Sequence, residues 1–282
     1  MSEPVYFFEG GDPTMAQASA SAQATFKYFW RELAWEARRI IPALEVAAVK
    51  ASFSEEGRVP PTDDDPSVEH MWLGQVDFDG RRIHGVLLND PNWLSSVRSG
   101  EAVELPVEEL GDWMYAQGGR VYGAFTVNLM RSQMSPKERR GHDTAWGLEF
   151  GDPARIEVVP NPHAPAPKKK AGGFLGGLMG KGGDAPPEPP PGPAPDPNAE
   201  HPMSVNMAPK LAEQLARDPS MARARDDRGW TLLHHQALAG SAATVRVLLE
   251  HGADRDAKTG HGMTARELAE SLGWEKVVAL LA

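Results

Sequence analysis

Residues 226–254 read DDRGWTLLHHQALAGSAATVRVLLEHGAD, and the same frame returns 33 residues later in 260–282, GHGMTARELAESLGWEKVVALLA. Gly229 matches Gly262, Thr231 matches Thr264, Gly240 matches Gly273, Val245 matches Val278 and Leu248 matches Leu281. A fixed period of this length marks stacked repeats, each too small to bury its apolar face alone. Each unit opens on a glycine turn and continues through two short amphipathic stretches.

These residues resemble the ankyrin repeat, a β-turn followed by two antiparallel helices. Thr231 and His234 stand where the family carries the Thr and His of its T-P-L-H box. The resemblance implies that they hydrogen-bond the turn and the helix start. Leu232 replaces the family's Pro, whose role is to pre-set φ. The second unit has Glu267 at the box His and a polar outer face, as a terminal repeat needs. Residues 209–225, PKLAEQLARDPSMARAR, read as the helix of a degenerate first repeat, so an all-α ankyrin-repeat stack of about two and a half units is expected over 203–282. The family binds proteins through turn tips and the concave helix face. The tips here offer Arg228, Trp230, Arg255, His261 and Met263, and Trp and Arg dominate binding hot spots. Packing of Trp230 beneath the turn is the competing expectation. His234 and His235 are helix neighbours about 100° apart, which argues against a shared metal ion.

Upstream, residues 160–202 contain 13 Pro and 8 Gly in 43 residues. This composition reads as a Pro/Gly-rich flexible linker, with its proline-rich half extended. Its centre, KKKAGGFLGGLMGKGG, sets Phe174, Leu175, Leu178 and Met179 among glycines and lysines. Charge is uneven: residues 1–166 carry 15 Lys+Arg against 25 Asp+Glu, and residues 167–282 carry 14 of each. The net charge of −10 therefore lies wholly on the first part. Such a surface disfavours nucleic acid and suits a basic protein partner.

Residues 1–159 read as an α+β domain. Phe26, Phe29, Trp30, Leu33, Ala37, Ile40, Ile41 and Leu44 follow helical spacing, predicting one helix over 16–41. ALEVAAVKASF predicts a strand and GRVPPTDDDP a loop. EHMWLGQVDFDGRRIHGVLL predicts a hairpin around Asp79-Gly80. Ser99-Gly100 and Gly118-Gly119 mark further turns, with DWMYA and RVYGAF as a second hairpin. VNLMRSQMSPKERRGHD reads as a short helix and a tail. The sum is a long helix on a small, twisted, mostly antiparallel sheet.

The blocks GVLLNDPNWL, SGEAVELPVEELGDWMYA and GRVYGAFTVNLM resemble the YegJ-like bacterial domain of unknown function, over about residues 22–150. More distantly they are similar to domains of immunity proteins that neutralise bacterial toxins. Asn89, Asp90 and Trp93 in one loop, with Asp112, Trp113 and Tyr122 in another, are a possible pocket. Turn chemistry and core packing are the alternative. No GxSxG, phosphate loop or dinucleotide fingerprint occurs, and His70, His84 and His142 stand at no metal spacing. The absence of cysteine excludes thiolate chemistry. No cofactor and no catalytic residue is assigned. The sequence thus points to a protein-protein interaction protein of the bacterial cytoplasm, two binding modules on a tether and without a membrane span, such as an immunity or regulatory protein that binds a toxin or effector. A small-ligand or enzymatic α+β domain targeted by the repeats is the alternative, and the oligomeric state stays open.

Overall fold

The computed structural model describes residues 12–55, 68–161 and 195–282. The expected loop at 57–66 and the lysine-flanked segment 168–183 lie outside them. Helix α1 (Pro13–Glu36) opens with Asp12 as cap, whose carboxylate accepts from the Thr14 amide at 2.8 Å. The sheet has strands β1 (Leu44–Phe53), β2 (Glu69–Phe78), β3 (Arg82–Leu87), β4 (Ala102–Pro106), β5 (Leu110–Gln117) and β6 (Arg120–Gly123). Their order is β4-β3-β2-β1-β5-β6 with every pair antiparallel. Helices α2 (Phe125–Gln133) and α3 (Pro136–Trp146) follow.

The predicted hairpins form. Gly80 has φ +95°, and the Asp79 carboxylate accepts from the amides of Arg81 and Arg82. Gly118 and Gly119, at φ +60° and +81°, join β5 to β6 in the two-residue connection that needs left-handed backbone. Two expectations are corrected. The helix ends at Glu36 rather than Ile41, leaving Ile40 and Ile41 exposed. Pro42 disfavours helical backbone at Ile41, and the Glu36 carboxylate turns the chain by accepting from the Ala43 and Leu44 amides. The stretch expected to be a tail is α3, set by Pro136 and a reciprocal Ser135–Glu138 capping box.

Alternate residues of β1 and β5 face opposite sides, as strand geometry requires. Val49, Ala51, Trp113 and Tyr115 join Phe26, Phe29 and Trp30 of α1 in the main core. Met114, Ala116 and Val121 pack with Val127 of α2 on the other side. There Asp112, fully buried, accepts from the amides of Trp113, Phe125 and Thr126 and from the Thr126 hydroxyl. A carboxylate from a strand thereby serves the α2 N-terminus, where Ala124, at φ +57°, offers no side-chain cap.

The C-terminal region is helical. α4 (Pro202–Arg217) is followed by a 3-10 turn, then by the pairs α5 (Leu232–Leu238) with α6 (Ala242–Glu250), and α7 (Ala265–Ser271) with α8 (Glu275–Leu280). Outer helix α4 packs on α6, and inner helix α5 on α7. This is the repeat stack expected, with α4 as the outer helix of the incomplete first unit. The buried His234 ring joins units: Nδ1 accepts from the Thr231 amide at 2.9 Å, leaving Nε2–H to donate to Ala257 O at 2.9 Å. In the next unit Glu267 accepts from the Thr264 amide instead.

Two measurements test these anchors. Asp112→Asn presents an amide NH2 to groups that are themselves donors, so the unfolding free energy should fall by about 2–3 kcal/mol, read by denaturant melts. Burial holds the His234 ring below its ordinary 6.5, against the Ala257 hydrogen bond. A base with a depressed folded pKa contributes stability above its unfolded pKa and loses it as pH falls through the folded value. The stability advantage of the wild type over His234→Gln should therefore shrink from about pH 7.5 to about pH 5; a constant gap would contradict this role.

Candidate functional site

The binding face of a repeat stack is built by its tips and inner helices, here α5, α7 and two turns. In the first tip the Asp226 amide donates to Trp230 O and the Gly229 amide to Asp226 O, while the Asp226 carboxylate accepts from the Arg228 and Trp230 amides. The second tip repeats this through Thr259–Met263 and Gly262–Thr259. Arg225 Nη1 ties the tips together by donating to Gly229 O and Lys258 O, both at 2.6 Å. Asp226 also meets His235 Nε2 at 2.8 Å. Burial pushes the His235 pKa down while Asp226 pulls it up.

This face is occupied by the chain's own α+β domain. Trp230, Leu238, Met263 and Leu268 belong to one apolar cluster with Phe26, Trp30 and Phe78. The β2–β3 turn fits so closely that a Cβ on Gly80 would lie 2.4 Å from Leu268 Cδ2 and 3.3 Å from Met263 Sδ. Beside it Asp77 pairs with Arg228 at 2.5 Å, both side chains 44% exposed. Exposed pairs contribute about 0.2–1 kcal/mol, so the apolar contact dominates and the ion pair fixes register.

Helix α1 makes the second half of the contact. Tyr28 meets Trp274 edge-on at 6.1 Å, with Lys27 and Arg31 over the same indole. Arg31 Nη1 donates to Pro197 O and Ala199 O, and Tyr28 OH to Asn198 Oδ1. Trp35 stacks on His201, whose Nε2 lies 3.3 Å from Glu32. The last residues of the expected linker, 195–201, therefore pack on α1. Arg31, Glu32 and His201 are all buried, so removing one would strand the others at a cost of about 3–5 kcal/mol.

The predicted tip residues thus separate. Trp230 and Met263 are buried and Arg228 is paired, whereas His261 is exposed and the exposed Arg255 donates to Ala282 O. Sequence reasoning missed the docking face of α1: Lys27, Tyr28, Arg31, Glu32 and Trp35. Its signal is the run KYFWRELAW, where aromatic residues surround the helix instead of lining one stripe. A helix apolar all round is buried on every side.

The pocket candidates do not converge. Asn89 and Asp90 are exposed, while Trp93 is buried beneath a loop held by Glu69, which accepts from the amides of Asn92, Trp93 and Leu94. Asp112 and Trp113 are neighbours on β5 and point to opposite faces. Trp113 Nε1 donates to Ala22 O, and Tyr122 stacks on Tyr115 at 4.9 Å. A different polar group gathers on the Asp112 face. Ser52 Oγ lies 3.1 Å from His70 Nδ1, and Lys50 Nζ donates to Thr126 Oγ1 at 3.3 Å. Burial holds the Lys50 amine below its usual value against the pull of Asp112, and burial with the Lys50 charge lowers His70. Among the described residues no group of three potential ligands gathers to hold a metal ion, and no helix is long and apolar enough to cross a membrane.

Known proteins share both halves. Residues 12–150 match the family described as "Uncharacterized protein conserved in bacteria (DUF2314)", and residues 228–260 match the ankyrin repeat. An ankyrin repeat protein of Neisseria meningitidis serogroup B is 39% identical over 277 residues, 98% of this chain and 96% of that protein. The uncharacterized protein YegJ of Escherichia coli is 33% identical over 81 residues, 29% of this chain and 47% of that protein. A rice potassium channel, AKT3, is 40% identical over 68 residues, 24% of this chain and 8% of the channel. The chain belongs to the bacterial ankyrin-repeat proteins whose N-terminal part is a DUF2314 domain.

Proposed function

We propose that this protein is an immunity or regulatory protein that binds a basic toxin or effector through its acidic DUF2314 domain, with the ankyrin stack adding a second contact. The observation that carries the reading is the pairing of a protein-binding repeat stack with an N-terminal part, residues 1–166, that holds the whole net charge of −10. Opposed surface charge gives fast, salt-sensitive association. The binding unit is the full chain, because separated halves would bare Trp230, Met263 and Leu268, which are buried in the intact protein.

A second reading is favoured by Ser52, His70 and Lys50 on the sheet face: a small-ligand or enzymatic domain addressed by the repeats. A hydroxyl within reach of an imidazole, beside an amine of lowered pKa, is the kind of group that binds or activates a ligand.

Capture from bacterial lysate on the full chain, followed by association kinetics against each retained protein, separates the readings. For the first, a basic protein should be retained, with an on-rate falling at least tenfold between about 0.05 M and about 0.5 M salt. An on-rate indifferent to salt would reject the electrostatic version. If no protein is retained, and a metabolite co-purifies with the wild type but not with Ser52→Ala or His70→Ala, the second reading replaces the first.

A further inference from the structure

We propose that the DUF2314 domain is the inhibitor in cis of its own ankyrin stack: the docked arrangement is a closed state, and the inner face opens to a protein partner only when the β2–β3 turn and α1 release it. This rests on the reading that the stack binds a protein.

The groups a partner would use first are the ones covered. Trp230 and Met263 are 2% and 5% exposed, and Leu268 of the inner helix is fully buried. The cover is contributed by a hairpin tip and one face of α1, so it can leave without unravelling the sheet, whose own ladders do not involve the stack. The contact also has marks of a separable surface. An exposed ion pair, Asp77–Arg228, sits at its rim. The indole N–H groups of Trp30 and Trp230 are buried with no acceptor among the described residues; release hydrates both, which offsets part of the cost of opening. Contacts between domains of one chain resemble transient protein interfaces. Because both sides share one chain, even a weak contact stays closed at the high effective concentration the connection imposes.

The test uses Gly80. Its φ of +95° is a conformation Asn tolerates better than other side chains, and a Cβ there would press on Leu268 at 2.4 Å. Gly80→Asn should wedge the contact open while keeping the turn. Gly100→Asn is the control, with φ +82° and, among the described residues, nothing within 4 Å of the added Cβ. In full-length protein, amide hydrogen exchange over 230–238 and 263–268 should speed up about tenfold or more in Gly80→Asn and stay at the wild-type rate in Gly100→Asn, with β1 and β5 protected in all three. Arg228→Glu, acting from the stack side against Asp77, should raise the same amides, and Asp77→Arg with Arg228→Glu should bring them back. Unchanged exchange in both Gly80→Asn and Arg228→Glu would overturn the closed-state proposal even if partners are found. If the variants open but a captured partner binds them no more tightly than wild type, the contact is structural and the inhibitory role is overturned. If they open and binding tightens in step with exchange, the role stands. Failure to capture any protein strikes the binding reading, not the opening measured here.

Discussion

Helix α1 is clad in aromatic side chains on more than one face, and the rest of the molecule is arranged around the need to bury them. Phe26, Phe29 and Trp30 fill the core over the sheet, while Tyr28 and Trp35 turn to Trp274 and His201 of the C-terminal half. Covering both sides of such a helix favours the docked arrangement, because each fully buried aromatic is worth several kcal/mol of transfer free energy. The repeat stack meets the same constraint from its own direction. With an incomplete first unit and about two and a half repeats it is short of self-sufficiency, and the α+β domain supplies the missing cover.

The unpaired amides at helix starts impose the second constraint, answered differently in each place. In the repeats the answer is local: Thr231 with His234, and Thr264 with Glu267, close the first turn within four residues. At α2 it is long-range, since Asp112 reaches from β5 to the Phe125 and Thr126 amides. The local device is replaceable within the stack, and the second unit does replace His by Glu. The long-range device ties the sheet to the helix. Its burial pushes the Asp112 carboxyl up, with the Thr126 hydrogen bonds and the Lys50 charge opposing.

Occupation of the inner face by a domain of the same chain changes what the tips mean. Two modules on a tether could engage two surfaces independently. In the docked protein the stack presents Arg255 and His261, while the residues best suited to anchor a partner are engaged at home. The 39% identity to the Neisseria meningitidis protein extends over both halves, so the combination of sheet domain and repeats, not the repeats alone, is the shared unit.

Much of the fold was legible because it is encoded by short-range rules. The 33-residue period, the threonine boxes, the glycine turns at Gly80, Gly118 and Gly119 and the core-facing spacing of Phe26, Phe29 and Trp30 in α1 depend on neighbours a few residues apart, so the sequence determines them directly. The end of α1 was less legible: the apolar spacing continued through Ile40 and Ile41, but Pro42 and the Glu36 carboxylate ended the helix first. What only the tertiary structure decided is which apolar surface meets which. The contacts between the two halves join partners 150 residues or more apart in sequence, such as Asp77 with Arg228 and Glu32 with His201, and no periodicity records them. For the same reason Asp112 looked like a loop carboxylate and is a helix cap, and Trp230 stood on a tip by sequence but lies beneath a hairpin in space.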